Sequence, residues 1–235
     1  MGQIFLVRHA QASFASEDYD QLSQLGLEQA RWLGGWFGRC GQGFTHAAAG
    51  TLRRQQQSAE ACLAALPAAL RPPGPTAVDP GLDEYDSADV VARHRPDLAQ
   101  RAAMQRFIAG SADPRRAFQE VFAAALERWV GGRSDSEYRE SWRGFRERCV
   151  AALERTVAAA GASRDVLVFS SGGPIAAICQ HLLGLPDRRA MELNWSLVNS
   201  SITKLLYGRG RLSVHALNAY PHLESAGRPG CVTYR

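Results

Sequence analysis

The sequence predicts an α/β protein: a three-layer α/β/α sandwich with a mostly parallel central sheet and a helical cap insertion. Three observations predict it. Ile4 to Val7 and Val166 to Phe169 are continuous apolar runs, too short for core helices and of the kind found in strands buried on both faces. Such runs alternate with segments of helical periodicity, the pattern of parallel strands joined by crossovers. From about 85 to 163 the chain instead reads as helices with polar breaks and no strand of comparable strength. The expected organisation is therefore one domain over 1–235 with a helical insertion at about 85–163.

Taken in order, the Ile4 to Val7 strand ends at Arg8-His9-Ala10 and a polar loop follows. Ser23 is placed to cap a helix whose apolar positions Leu27, Ala30, Leu33 and Phe37 recur near the helical period, with Gly34-Gly35 weakening its middle. Phe44 to Ala49 reads as a second strand of small residues, and Leu52 to Leu66 as a helix that Pro67 helps end. After the rigid Arg71-Pro72-Pro73-Gly74-Pro75 loop, Thr76 to Val78 reads as a short edge strand leading into Asp79 to Glu84. Inside the insertion the strongest helical segments are Leu98 to Ile108, Ala117 to Val130 and Trp142 to Ala159, interrupted at Gly131 to Ser134. Val166 to Phe169 then leads through Ser170-Ser171-Gly172-Gly173-Pro174 into an apolar helix, Ile175 to Leu183. Ile202 to Tyr207 and Leu212 to Leu217 flank Gly208-Arg209-Gly210 as a hairpin. Ligands of open α/β sheets sit beyond the carboxyl ends of strands, where both His9 and Ser170-Ser171 fall.

Composition narrows the partners. The chain has 235 residues, 46% of them apolar, enough for a core without disulfides or metals. Its formal charge of +4 comes almost wholly from arginine, Lys204 being the only lysine, and the arginines are dispersed rather than clustered. That argues against nucleic acid and suits anionic small molecules. The five cysteines, Cys40, Cys62, Cys149, Cys179 and Cys231, are widely spaced with no C-x-x-C pair, so neither a disulfide framework nor a zinc site is expected. The opening MGQIFLVRHA reaches charge too soon for a secretory segment, and no run approaches a membrane span. A cytoplasmic protein without cofactor, metal or membrane attachment is expected, and a homo-oligomer is left open.

The chemistry concentrates at Arg8-His9. An arginine at a strand exit supplies a fork of donors for phosphate oxygens, and a neutral imidazole beside it can attack phosphorus. Phe5-Leu6-Val7-Arg8-His9-Ala10-Gln11 resembles the first motif of the histidine phosphatase superfamily, the phosphoglycerate-mutase-like proteins. Leu22 to Ala30 is similar to its L-T-x-x-G-x-x-Q-A helix start, and Leu52 to Ala59 to its L-x-R-x-x-Q-T-A segment, a register that selects Arg54 over Arg53. Leu82-Asp83-Glu84 resembles L-x-E, Val166 to Pro174 the V-x-V-S-H-G-G strand and turn, and Asn199 to Thr203 and Asn218 to Leu223 the late strand and tail.

The resemblance implies phosphomonoester hydrolysis through a phosphohistidine on His9. Arg8 and Arg54 would hold the phosphoryl oxygens, and Glu84 would protonate the departing alkoxide. Ser171 and Gly172 would complete the phosphate site. The sequence departs from the family at Ser171, where a second histidine would stand, at Ala10 for a glycine, at Gly50 for a serine, and at Tyr85-Asp86, where glycines often follow the glutamate. Losing one phosphoryl donor costs roughly 100- to 1,000-fold in rate, although backbone N–H groups at Gly172-Gly173 would keep part of the anion site. After His9, Ala10-Gln11-Ala12-Ser13-Phe14 lacks the pattern of the mutases, which ranks a phosphatase above a mutase. Two readings compete: a phosphatase of a small phosphorylated molecule, and a phosphate-ligand binding or regulatory protein weakened at Ser171. The insertion carries Phe107, Phe118, Phe122, Trp129, Tyr138 and Trp142, read mostly as core. Any of them facing the cleft would shape the leaving-group pocket.

Overall fold

The computed structural model describes residues 1–13 and 20–234. It divides into two compact units, Met1–Glu84 with Arg148–Arg235, and Tyr85–Glu147.

The larger unit is a sandwich around a six-stranded sheet of order β3-β2-β4-β1-β5-β6. The strands are β1 (Gly2–Arg8), β2 (His46–Ala49), β3 (Ala77–Val78), β4 (Asp165–Ser170), β5 (Ile202–Gly208) and β6 (Arg211–Ala219). The first four run parallel, and β5 and β6 form an antiparallel hairpin on the β1 edge. Residues 4–7 of β1 and 166–169 of β4 are continuously apolar because helices cover both faces of the sheet. Phe5 and Val7 join Leu33, Phe37, Phe44, Leu66, Leu167 and Phe169 in one core cluster, while Ile4, Leu6, Val166 and Val168 are equally buried on the other face.

Helix α1 (Gln24–Arg39) is capped as expected, Gly26 N donating to the Ser23 hydroxyl. Its Gly34, expected to weaken the helix middle, also has a packing role. A Cβ there would lie 2.1 Å from the Cys62 carbonyl oxygen in α2 (Arg53–Ala65), so the glycine lets the two helices approach closely. Two further helices of this unit were not expected: α8 (Asp187–Ser196) and α9 (Pro221–Ala226). In α8 only Ala190, Met191 and Asn194 are buried, and α9 is six residues long, so neither carries an apolar stripe long enough to read. α7 (Gly172–Leu183) begins within the segment read as a turn, two residues after β4.

The smaller unit holds α3 (Ser87–His94), α4 (Arg101–Ala109), α5 (Pro114–Val130) and the first turns of α6 (Trp142–Ala160). Its core is aromatic: Trp129 packs against Tyr85, Trp142 and Phe145 at centroid distances of 5.0, 5.2 and 5.7 Å. Phe122 and Tyr138 are buried as well, and Phe107 lies under the Arg95 guanidinium. Among the described residues no helix is long and apolar enough to cross a membrane. Phe14, part of the segment that separated phosphatase from mutase in the sequence, lies outside the described residues.

Candidate active site

Each parallel strand delivers one piece of chemistry at its carboxyl end. β1 ends at Arg8 and presents His9, and β2 leads through Gly50 into α2 with Arg54. β3 leads into the loop that carries Glu84, and β4 ends at Ser170 ahead of Ser171. The register pairs Arg8 with Ser170, and the His9 N–H donates to the Ser170 carbonyl at 2.8 Å, so the β1 and β4 exits are locked together.

His9 is 6% exposed and Arg54 8%. His9 Nδ1 lies 2.8 Å from the Ala10 carbonyl oxygen. A carbonyl only accepts, so Nδ1 carries the hydrogen and Nε2 carries the lone pair. Arg54 Nε donates to that Nε2 at 3.3 Å. Burial, and then the charges of Arg54 and Arg8, hold the imidazole pKa well below its ordinary value, so the ring is neutral at physiological pH. These are the tautomer and charge state a nitrogen nucleophile needs.

The loop that carries His9 is held from several sides. Ala10 N donates to Ser58 Oγ at 3.0 Å, and Ser58 Oγ donates to the Arg54 carbonyl at 2.6 Å, joining the loop to α2. Gln11 N donates to Gln29 Oε1 at 2.8 Å. Ser200, at a φ of 66°, donates its N–H to the Arg8 and His9 carbonyls, and buried His222 contacts the Ser200 hydroxyl through Nε2 at 3.1 Å. Ala10 does not have a positive φ, which explains why alanine serves where the motif has glycine.

Arg54 pairs with Asp20 at 2.6 Å, and Asp20 also accepts from Arg53 N at 2.9 Å. The Arg53 side chain is exposed, so of the neighbouring arginines it is Arg54 that reaches His9. Arg8 donates through Nη1 to the Leu197 carbonyl. At Gly172 an added Cβ would lie 2.3 Å from Asn194 Oδ1 and 3.6 Å from Arg8 Nε, so glycine there lets α8 and Arg8 close on the start of α7. The Gly172 N–H, at the first helical position, has no acceptor within its helix.

Glu84 Oε2 accepts from Gly173 N at 3.2 Å, which brings the carboxylate to the same helix start. Its loop is pinned by Arg148, whose Nη1 donates to the carbonyls of Pro80, Gly81 and Asp83 at 3.0 to 3.2 Å. Asp83 in turn accepts from Thr51 N at 2.6 Å. Ser171 is fully buried, and its Oγ accepts from Gln55 Nε2 at 2.8 Å. Sequence reasoning missed Gln55, Asp20 and Arg148. Gln55 was hidden in a run of three glutamines, and Arg148 was one of many arginines on a helical segment, with nothing local to mark either. His181 and His215 are exposed, and His46 and His94 half-buried; none has a hydrogen bond to the groups above. Among the described residues, no group of three or more His, Cys, Asp or Glu side chains is placed to hold a metal.

Solved structures share this architecture across nearly the whole chain. A phosphoserine phosphatase from Entamoeba histolytica, in complex with phosphoserine, is 14% identical, with a TM-score of 0.66 over 95% of this chain and 100% of that one. A phosphoglycerate mutase from Bacillus anthracis is 17% identical, with a TM-score of 0.63 over 96% of each chain. A putative alpha-ribazole-5'-P phosphatase from Escherichia coli is 19% identical, with a TM-score of 0.64 over 93% of this chain and 96% of that one. At these identities the likeness concerns the fold. No curated protein matches significantly. The family model of the histidine phosphatase superfamily (branch 1) matches residues 4–220, from β1 to just past β6, and the chain belongs to that superfamily.

Proposed function

We propose that this protein is a phosphomonoesterase that hydrolyses a small phosphorylated molecule through a phosphohistidine on His9. The observation that carries the reading is the His9 imidazole. It is neutral, its Nδ1–H is committed to the Ala10 carbonyl, and its Nε2 lone pair lies beside the Arg54 guanidinium.

In the first step His9 Nε2 attacks phosphorus, the P–O bond to the alcohol breaks, and the oxygen that takes the bonding electrons receives a proton from Glu84. In the second, water attacks phosphorus and gives a proton to Glu84, the P–N bond breaks, and inorganic phosphate leaves with His9 neutral again. Arg8 and Arg54 hold the phosphoryl oxygens with fixed donors while charge moves onto them. The Gly172 N–H adds a donor at a helix start, where the helix dipole favours an anion. No metal or cofactor enters these steps.

A second reading, a phosphate-ligand binding or regulatory protein, draws on one observation: a serine at 171 cannot carry charge to the phosphoryl group as a histidine would. Retention of His9 and Glu84 favours the enzyme, because an anion site alone needs neither a nucleophile nor a proton donor. Phosphate release from a panel of phosphomonoesters, compared between the wild-type protein and His9→Ala, separates the two. Turnover lost in the variant supports the phosphatase. Equal background release, with phosphate still bound by the wild type, supports the binding protein.

A further inference from the structure

Ser171 and Gln55 form a hydrogen-bonded pair whose direction the surrounding groups decide. Gln55 Nε2 lies 3.0 Å from the Leu82 carbonyl oxygen and 2.8 Å from Ser171 Oγ. The carbonyl can only accept, so the amide atom between the two is the nitrogen, and Ser171 Oγ must accept from it. The Ser171 hydroxyl proton is then committed to neither partner. Ser171 is the N-cap residue of α7, but its side chain makes no capping bond. Among the described residues nothing accepts its proton, although the side chain is fully buried.

Buried hydroxyls ordinarily find an acceptor, and here the neighbours indicate which kind is absent. On one side of Ser171, the Ser170 carbonyl receives the His9 N–H. On the other, Gly172 lies against Arg8 Nε with its own N–H directed out of the helix start. Arg8 and the Gly172 N–H on that side are donors, the kind of group that an anion draws together.

The seat of Gln55 is equally specific. Its Oε1 is buried with no partner among the described residues. A Cβ on Gly50 would lie 2.0 Å from that oxygen and 2.4 Å from Asp83 Oδ1, so only glycine at 50 lets the amide lie where it does. Gly50, Gln55 and Ser171 are therefore one fitted set.

Building on the phosphate-site reading above, we infer that Gln55 is a positioning residue: by donating to Ser171 Oγ, it directs the Ser171 hydroxyl proton to an oxygen of the bound phosphoryl group. Gln55 does not touch the substrate. It makes a neutral serine an oriented donor in a site where a hydroxyl free to rotate could turn its proton elsewhere. Through the Leu82 carbonyl the same amide also steadies the loop that carries Glu84, and Ser170 Oγ shares that carbonyl at 2.7 Å.

The test is a double-mutant cycle on the full chain, read as inorganic phosphate affinity by titration calorimetry, with melting temperature recorded for every variant. Ser171→Ala removes a hydrogen bond to a charged group and is expected to weaken phosphate binding by roughly 10- to 100-fold. Gln55→Met, similar in length but unable to donate, is expected to weaken it substantially when Ser171 is present and by less than about twofold in Ser171→Ala, since coupled residues are not additive. Gln55→Glu keeps the shape, but an ionised carboxylate would accept the Ser171 proton, so it is expected to weaken phosphate binding at neutral pH. If Gln55→Met does not fold, Gln55→Leu, uncharged and equally unable to donate, supplies the same cycle. An equal loss with and without the Ser171 hydroxyl, or no loss, overturns the inference while leaving the phosphate site intact. Failure of the wild type to bind phosphate overturns both.

Discussion

The two halves of the site are built on neighbouring strands, yet they differ in kind. At the β1 exit, Arg8, His9 and Arg54 stand in the motif positions, and their support comes from residues of the same motifs: Ser58 under Ala10, Gln29 under Gln11, and Ser200 under the Arg8 and His9 carbonyls. At the β4 exit the motif is altered at Ser171, and the fit is made by Gln55, which the motif does not name, and by Gly50, itself a departure from it. The lesson concerns substitution at a shared site. Where a charged donor is replaced by a short neutral one, neighbours must supply the orientation that the larger side chain would bring with its own packing. On the proposed mechanism, the first half determines whether chemistry occurs at all, and the second sets how well the phosphoryl group is held.

That division can be broken by variants on either side. The largest effect short of removing the nucleophile is expected for Glu84→Gln, which keeps the shape but removes proton transfer. Turnover of alkyl phosphates should fall by about 100- to 10,000-fold. In the first step alone, read as the pre-steady-state burst of released alcohol, the loss should be much smaller for p-nitrophenyl phosphate, whose leaving group needs no proton, and an equal loss of burst rate on both substrates would assign Glu84 a positional role.

Next is Arg54→Lys. It keeps the charge but loses the planar fork that donates to His9 Nε2 and reaches Asp20 together, so a fall of roughly 100-fold in kcat/KM is expected. Near wild-type kinetics would mean that Arg54 acts only as a charge.

The smallest effect concerns stability in acid. Burial pushes the His222 pKa down to about 3, from 6.5 for an ordinary histidine. Between those values the unfolded chain binds the extra proton and the folded chain does not, so stability is lost as pH falls through that window. The loss from this group is about 1.4 kcal/mol for each pH unit. His222→Gln should flatten the fall in denaturant midpoint between pH 6 and 4 without abolishing it, because His9 is shifted the same way. A slope unchanged by the substitution would show that His222 is not the group responsible.

The sheet strands, and the placing of Arg8 and His9 at a strand exit, were legible because both follow from local chain. A four-residue apolar run bounded by polar residues is long enough for a buried strand and too short for a core helix, and Arg8, His9 and Glu84 fall at strand or loop exits. Helices α8 and α9 were not legible, since one is largely polar and the other very short. Gly34 read as a helix weakener because the sequence does not show α2 lying against it. The support of Ser171 was beyond sequence reasoning for the same reason. Gln55 is 116 positions away along the chain, and its role depends on a carbonyl, Leu82, that has no side-chain identity to read. Tertiary contact through backbone atoms leaves no mark on the residue alphabet.

The central claim is a covalent phosphate on His9, and the most direct measurement is to quench the protein during turnover of a phosphomonoester and locate any phosphoryl group by peptide mass spectrometry. The account predicts an acid-labile phosphoryl group on the peptide containing His9, absent from His9→Ala and accumulating in Glu84→Gln with p-nitrophenyl phosphate, where only the attack of water is slowed. Phosphate release with no phosphopeptide in either protein, or a phosphoryl group on another residue, would contradict it.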